Sequence, residues 1–199
     1  MTENGLFFTI EGGEGVGKSS FIDLLANRLK ELRVDLITSR EPGGSPIADR
    51  IREIFVSPPK QEPIFPRSEL LLVSAARCQH VDTTIRPALA KGQWVLCDRY
   101  ADSTRVYQCG VGGIDPDMCE QLIKYTTDGL EPALTFLLDC PVEVSGERIQ
   151  SRSLSLQKSR FDAQQPDFHQ RVRDEFLKLS EKFTERFFTI DATRDIESM

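Results

Sequence analysis

The chain has 199 residues, enough to bury a sizeable core as a single α/β domain. Its 25 Lys and Arg against 31 Asp and Glu leave a formal charge of −6, which argues against a nucleic-acid or anionic-membrane surface. Five cysteines (Cys78, Cys97, Cys109, Cys119 and Cys140) form no C-x-x-C pair and read as reduced thiols of a cytoplasmic protein, not a disulfide or zinc framework.

The N-terminus lacks a basic flank and a long apolar stretch, so no signal peptide is expected. Leu6–Ile10 is an apolar β-run that leads straight into Glu11-Gly12-Gly13-Glu14-Gly15-Val16-Gly17-Lys18-Ser19-Ser20. Gly12, Gly17, Lys18 and Ser19 satisfy the G-x-x-x-x-G-K-[ST] pattern in full, with a strand before it and a helical pattern after it. Such a loop turns successive backbone N–H groups inward around an anion, at the positive end of a helix dipole. Residues Gly12 to Ser20 are therefore the candidate triphosphate cradle. Lys18 is expected to reach the β- and γ-phosphates, and the Ser19 hydroxyl to hold Mg²⁺.

From Lys18 to about Leu32 the pattern is an amphipathic helix, with Phe21, Leu24, Leu25 and Leu29 on one side. Leu36-Ile37 is a short buried strand ending at Thr38, and Arg40–Pro46 is a Pro- and Gly-rich loop. A helix around Ile47–Phe55 follows, then a surface loop over Ser57–Pro66. Ser68 can cap a long helix running to about Ala90, with a kink at Pro87. Trp94–Cys97 is a continuous apolar strand ending in Asp98. Asp115-Pro116 opens a helix through Lys124, and Leu134–Leu138 is a fourth strand ending in Asp139. Val142–Arg152 is helical, a Ser-rich loop follows, and a charged amphipathic helix runs from about Pro166 to Arg186. Phe187–Ile190 is the fifth strand. This alternation predicts a three-layer α/β fold, a five-stranded parallel sheet with helices on both faces. In such sheets ligands bind beyond the carboxyl ends of the strands, where the loop after Ile10 and the Asp98 turn both fall.

A strand that ends in Asp98 puts a carboxylate beside the metal and its water shell, and Arg99 adds a fixed positive charge for phosphoryl oxygens. Four segments then share one pattern. Glu11-Gly-Gly-Glu-Gly-Val-Gly-Lys-Ser, Ser39-Arg-Glu-Pro-Gly-Gly, Ser74-Ala-Ala-Arg77 and Asp98-Arg-Tyr-x-x-Ser-Thr-x-x-Tyr-Gln108 resemble the bacterial thymidylate kinases in order and spacing. The resemblance covers nearly the whole chain. It implies a P-loop nucleoside-monophosphate-kinase fold with a short lid, phosphoryl transfer from ATP with Mg²⁺ to dTMP, and a homodimer. It further implies that Glu14 lies near the acceptor 3′-hydroxyl and the metal, that Asp98 serves the magnesium shell, and that Arg99 and Arg52 hold the acceptor phosphate. Arg77 would hydrogen-bond a thymine carbonyl, Thr104 and Gln108 would meet the base edge, and Tyr107 would close against C2′. Where many family members carry an aromatic that stacks on thymine, this chain has Val73.

An acceptor monophosphate already carries anionic oxygens, so the chemistry needs in-line positioning and charge cancellation, not a general base. The loop interior, Gly13-Glu14-Gly15-Val16, has no basic residue. A transition-state cation must then come from the region after the fourth strand, which carries Arg148, Arg152, Lys158 and Arg160. Ser151–Ser159 has the profile of a lid, and Arg152 and Arg160 are expected to clamp the transferring phosphoryl group on closure. For Arg148 a solvated helix face is an equal alternative. A kinase of another nucleoside monophosphate or of a deoxynucleoside on the same fold stays open. The guanine-reading Asn-Lys-x-Asp motif of switch-type GTPases is absent.

Overall fold

The computed structural model describes residues 5–59, 61–152 and 160–198. Five strands appear where alternation and apolar runs place them: β1 (Phe7–Glu11), β2 (Leu36–Arg40), β3 (Trp94–Asp98), β4 (Leu134–Asp139) and β5 (Phe187–Asp191). They pair in parallel in the order β2-β3-β1-β4-β5. The chain winds outward from β1 to β2, returns to β3, then crosses β1 to reach β4. That reversal opens a crevice at the carboxyl ends of β1 and β3, which lie side by side with Ile10 opposite Asp98.

The alternation along β1 sorts the core into two layers. Ile10, together with Leu96, Leu138 and Ile190, packs on Phe21, Ile22 and Ala26 of α1 (Lys18–Glu31). Phe7, with Val95 and Cys97, packs on the opposite layer against Val81, Ile85, Ala88 and Tyr100. A third cluster joins Leu137 to Val106, Tyr107, Val172 and Phe176. All five cysteines are free thiols. Among the described residues no helix is long and apolar enough to cross a membrane.

The helices refine the expected boundaries. Helix α2 (Pro46–Val56) is capped by Ser45, whose hydroxyl accepts from the Ala48 N–H. The long helix starts at Pro66, not at a cap on Ser68, because proline suits the first helical turn and needs no donor there. It runs as α3 (Pro66–His80), a π-turn over Val81–Ile85, and α4 (Arg86–Ala90). The distortion expected at Pro87 thus falls in the preceding turn, which widens so that the proline ring clears the carbonyl of Thr83. A helix that periodicity did not reveal, α5 (Ala101–Thr104), continues into a second π-turn over Arg105–Val111. Then come α6 (Pro116–Thr127), capped by Asp115, and α7 (Val142–Arg152). Helix α8 (Pro166–Lys182) stops short of Arg186. The chain turns at Phe183, and Arg186 reaches back to bind Asp102 at 2.7 Å.

Gly44 shows how tightly the loop after β2 is folded onto α3. Its φ is +84°, and a Cβ there would lie 2.3 Å from Nε2 of His80 and 2.5 Å from the Ser39 hydroxyl. Gly44→Ala is therefore expected to lose roughly 2–4 kcal/mol, the sum of left-handed strain and overpacking. A urea melt would read this as a lowered midpoint with an unchanged slope.

Candidate functional site

The crevice at the end of β1 and β3 opens into a cleft of about 890 Å³. One wall is the loop between β1 and α1. Gly17 caps α1 with φ +100° and no side-chain cap, a conformation that leaves the helix N-terminus open to an anion. Lys18 folds back over the loop, and its Nζ donates to the carbonyls of Gly12 at 3.1 Å and Gly13 at 2.6 Å. Burial and the nearby Arg99 push its pKa down to about 8. Ser19 and Ser20 are exposed at the helix start.

The floor is the turn after β3. Asp98 Oδ1 is buried with no hydrogen-bond partner among the described residues, an orphaned acceptor at the edge of the phosphate loop. A divalent cation fits that donor set. Mg²⁺ takes one or two protein oxygens and completes its shell with phosphates and water, and among the described residues no cluster of three His, Cys, Asp or Glu forms a denser cage. Arg99 follows in the left-handed region at φ +69°. Its Nη1 donates to the Gly12 carbonyl at 2.9 Å and to Ser103 Oγ at 3.2 Å, and its Nη2 donates to Glu14 at 3.0 Å. The guanidinium also lies 5.1 Å from the centre of the Tyr107 ring. The Tyr107 hydroxyl donates to Glu14, 2.8 Å from either carboxylate oxygen. Glu14, Arg99 and Tyr107 are thus brought together, with His169 of α8 3.9 Å from Glu14.

Across the cleft, Arg77 is 2 % exposed. Its Nε donates to Glu41 at 2.8 Å, and its Nη2 donates to the Tyr100 carbonyl at 3.0 Å and to Thr104 Oγ1 at 2.9 Å. Nη1 is buried and has no partner among the described residues. His80, fully buried, steadies the other carboxylate oxygen of Glu41 through Nδ1 at 3.1 Å and meets Ser39 Oγ at 2.6 Å through Nε2. Val73 and Gln108 complete this wall, and Gln108 Nε2 donates to Glu69 at 3.4 Å. Arg52 on α2 donates to the Pro42 carbonyl at 2.9 Å. Burial and the neighbouring Arg40 push its pKa down, against the opposing pull of Asp98 and Asp49.

The lid expectations divide. Residues 153–159, Lys158 among them, and the Arg152 side chain lie outside the described residues. Arg160 is not directed at the phosphate loop. Its Nη1 pairs with Glu69, and the guanidinium sits 4.7 Å over Phe55 and 4.4 Å over Phe161, where a half-buried carboxylate and two rings hold the cation. Arg148 is anchored and not a free solvated charge: its Nη1 donates to the Ala192 carbonyl at 2.9 Å and lies 3.5 Å from the Val16 carbonyl.

Two carboxylates that sequence reasoning passed over support these walls, Glu41 and Glu11. Glu41 stands in the Arg-Glu-Pro-Gly-Gly segment, so its position beside a motif was the available signal. Glu11 closes β1 and is fully buried. Its Oε1 accepts from the Tyr100 N–H at 2.8 Å and the Ser103 N–H at 3.2 Å, and its Oε2 accepts from the Ser103 hydroxyl at 2.7 Å.

Known proteins resemble this chain in sequence and in fold. The family model described as thymidylate kinase matches residues 10–199. The thymidylate kinase of Chromohalobacter salexigens is 42% identical over 195 residues, covering 98% of this chain and 91% of that protein. That of Geotalea uraniireducens is 45% identical over 196 residues, covering 97% and 92%. Among solved structures, the thymidylate kinase from Ehrlichia chaffeensis superimposes with a TM-score of 0.75 at 30% identity, over 94% of this chain and 93% of that one.

Proposed function

The chain belongs to the thymidylate kinase family, and on that premise we propose how its residues transfer the γ-phosphoryl group of ATP to dTMP, giving dTDP and ADP. Gly12 to Ser20 wrap the triphosphate with backbone N–H groups. Lys18 leaves the Gly12 and Gly13 carbonyls to bridge the β- and γ-phosphates. Mg²⁺, when bound, neutralises charge on those oxygens, and Ser19 and Asp98 hold it; the orphaned Asp98 oxygen supports this reading.

Arg99 and Arg52 hold the acceptor phosphate in line with the γ-phosphoryl group. Arg77 donates its unpartnered Nη1 to a thymine carbonyl, and Thr104 and Gln108 border the base. Tyr107 walls the sugar at C2′, and Glu14 meets the 3′-hydroxyl. Arg152 supplies the transition-state cation. Arg160 joins it only by leaving Glu69, so its first role is to anchor the end of the lid segment on the acceptor side. The observation that carries the acceptor assignment is the buried, unpartnered Nη1 of Arg77 at the cleft wall. A guanidinium donor left unsatisfied there costs folding free energy that a bound carbonyl would offset.

We also infer a homodimer acting in the cytoplasm, with neither nucleic acid nor membrane as partner. Exposed Leu71 on α3, and Met118 and Tyr125 on α6, support association through that layer.

The test is ATP-dependent ADP release with dTMP, dUMP, dGMP, dCMP, AMP and thymidine as acceptors. The expected outcome is a kcat/KM for dTMP about tenfold or more above that for dUMP, since one methyl group is worth roughly 1–3 kcal/mol in an apolar pocket. Equal use of several acceptors would overturn the base-pocket assignment around Arg77 and Val73.

A further inference from the structure

We propose that Glu11 is a positioning residue for the acceptor phosphate: its carboxylate clamps the turn after β3 and thereby sets the Arg99 guanidinium. The proposal rests on the reading of Arg99 as the acceptor-phosphate arginine. Helix α5 begins directly after that turn, and its N-terminal residue Tyr100 supplies no side-chain cap. The exposed-donor problem of a helix start is met instead by a carboxylate 89 residues away in sequence, which takes the N–H groups of both Tyr100 and Ser103.

The same carboxylate extends to the guanidinium through one hydroxyl. Ser103 Oγ donates to Glu11 Oε2 at 2.7 Å and accepts from Arg99 Nη1 at 3.2 Å. Glu11 Oε2 itself lies 4.0 Å from that nitrogen. Arg99 adopts a backbone conformation that a side chain with a Cβ normally avoids. Its own N–H is tied to the Ile10 carbonyl at 3.0 Å, one residue before Glu11. The strained residue is therefore bracketed by β1 on one side and by the Glu11 bonds on the other, so the guanidinium has one place to go.

The charge of Glu11 is part of the device. It faces Asp102 from α5, Arg99 from the turn, Lys18 from α1, Cys97 from β3 and Tyr107 from the π-turn after α5. Asp102 is itself held by Arg105 at 3.0 Å and Arg186 at 2.7 Å. Burial, and next the Asp102 charge, raise the Glu11 carboxyl from an ordinary 4.5 to about 7. The folded protein thus keeps a proton that the unfolded chain has released between these two values. Stability from this group is complete below the lower value and lost as the pH rises through the upper one. A neutral isostere escapes that loss but weakens the hold on Arg99, so stability and acceptor binding should move apart.

The experiment compares wild-type full-length protein with Glu11→Gln and Ser103→Ala, varying dTMP at saturating ATP and the reverse, alongside thermal melting at pH 7.5. For Glu11→Gln the expected result is a roughly ten- to hundredfold lower kcat/KM for dTMP, the scale of a charged hydrogen bond. Its KM for ATP should stay within about threefold, and its Tm should not fall. Ser103→Ala should shift the same parameter in the same direction by a smaller factor. The fall of dTMP kcat/KM on acidification should lose one ionisation in Glu11→Gln, while that of the dTMP phosphate persists in both proteins. Parallel losses in ATP and dTMP parameters with a lowered Tm, or an unchanged Glu11→Gln, overturn the proposal. If Arg99→Met leaves the KM for dTMP unchanged, it is the assignment of Arg99 that fails. If Arg99→Met weakens dTMP and Glu11→Gln does not, the fault lies with Glu11 alone.

Discussion

Replacing Lys18 with methionine is expected to lower kcat by roughly two to three orders of magnitude or more, with little loss of stability. The side chain lies in the loop with its ammonium on the Gly12 and Gly13 carbonyls, and it is only 8% exposed. Methionine keeps the apolar stem as far as Cε and leaves Gly12 still bonded to Arg99. What disappears is the one cation inside the phosphate loop, and removal of a single preorganised donor to developing charge already costs a factor of about 10²–10³. The stability side follows from the sign of its shift. A lysine whose pKa falls to about 8 is penalised in the folded state wherever it is charged below that value, and the folded protein gains stability as the pH rises from there toward 10.5. A neutral residue therefore sacrifices no favourable charge near neutrality. Steady-state kinetics and a thermal melt on the same sample decide the matter. Calorimetry adds a second reading, because ATP restores the lysine charge and should take up a proton at pH 8.5 in wild type but not in Lys18→Met.

Arg77→Met should have the opposite balance, with a stability loss of about 3–5 kcal/mol accompanying the loss of dTMP binding. Glu41 is 4% exposed and pairs with Arg77 at 2.8 Å, so the substitution strands a buried carboxylate that keeps His80 as its side-chain partner among the described residues. The double change Arg77→Met with Glu41→Gln removes the stranded charge and should recover much of the stability, yet none of the affinity for dTMP. Urea melts of the two single variants and the double, read with dTMP titrations, separate the two effects. Near-additive stability losses would mean that Arg77 and Glu41 do not act as a pair.

The parts of this site that were legible in the sequence are those in which spacing along the chain equals spacing in space. The loop from Gly12 to Ser19 is one such part, since its residues follow one another between β1 and the start of α1. The five strands are another, because each is a short apolar run that ends in or beside a polar residue. Val73, Arg77 and His80, spaced to share one helix face, are all buried. What escaped depends on distant partners. Glu11 and Glu41 look like motif flanks until Tyr100 and Ser103, or Arg77 and His80, arrive from other elements. The turn at Arg99 has no period to detect, so α5 and its π-turn were invisible, although both place Tyr107 and Gln108. Arg160 shows the converse. Its sequence neighbourhood suggested the phosphates, while Glu69, Phe55 and Phe161 hold it instead.

The cationic lining of the cleft has a kinetic consequence. Lys18, Arg40, Arg52, Arg77, Arg99 and Arg148 face one concavity, against the acidic Glu14, Glu41, Asp98 and Asp162, in a chain whose formal charge is −6. Low-dielectric walls focus such a local field outward through the mouth while the rest of the surface repels anions. Small nucleotides are drawn in along this funnel, and long polyanions meet the negative exterior first. The attraction reaches only about 8 Å at physiological ionic strength, so salt slows capture steeply. The same field grips ADP and dTDP as they depart, and dilute buffer that hastens arrival must also delay release.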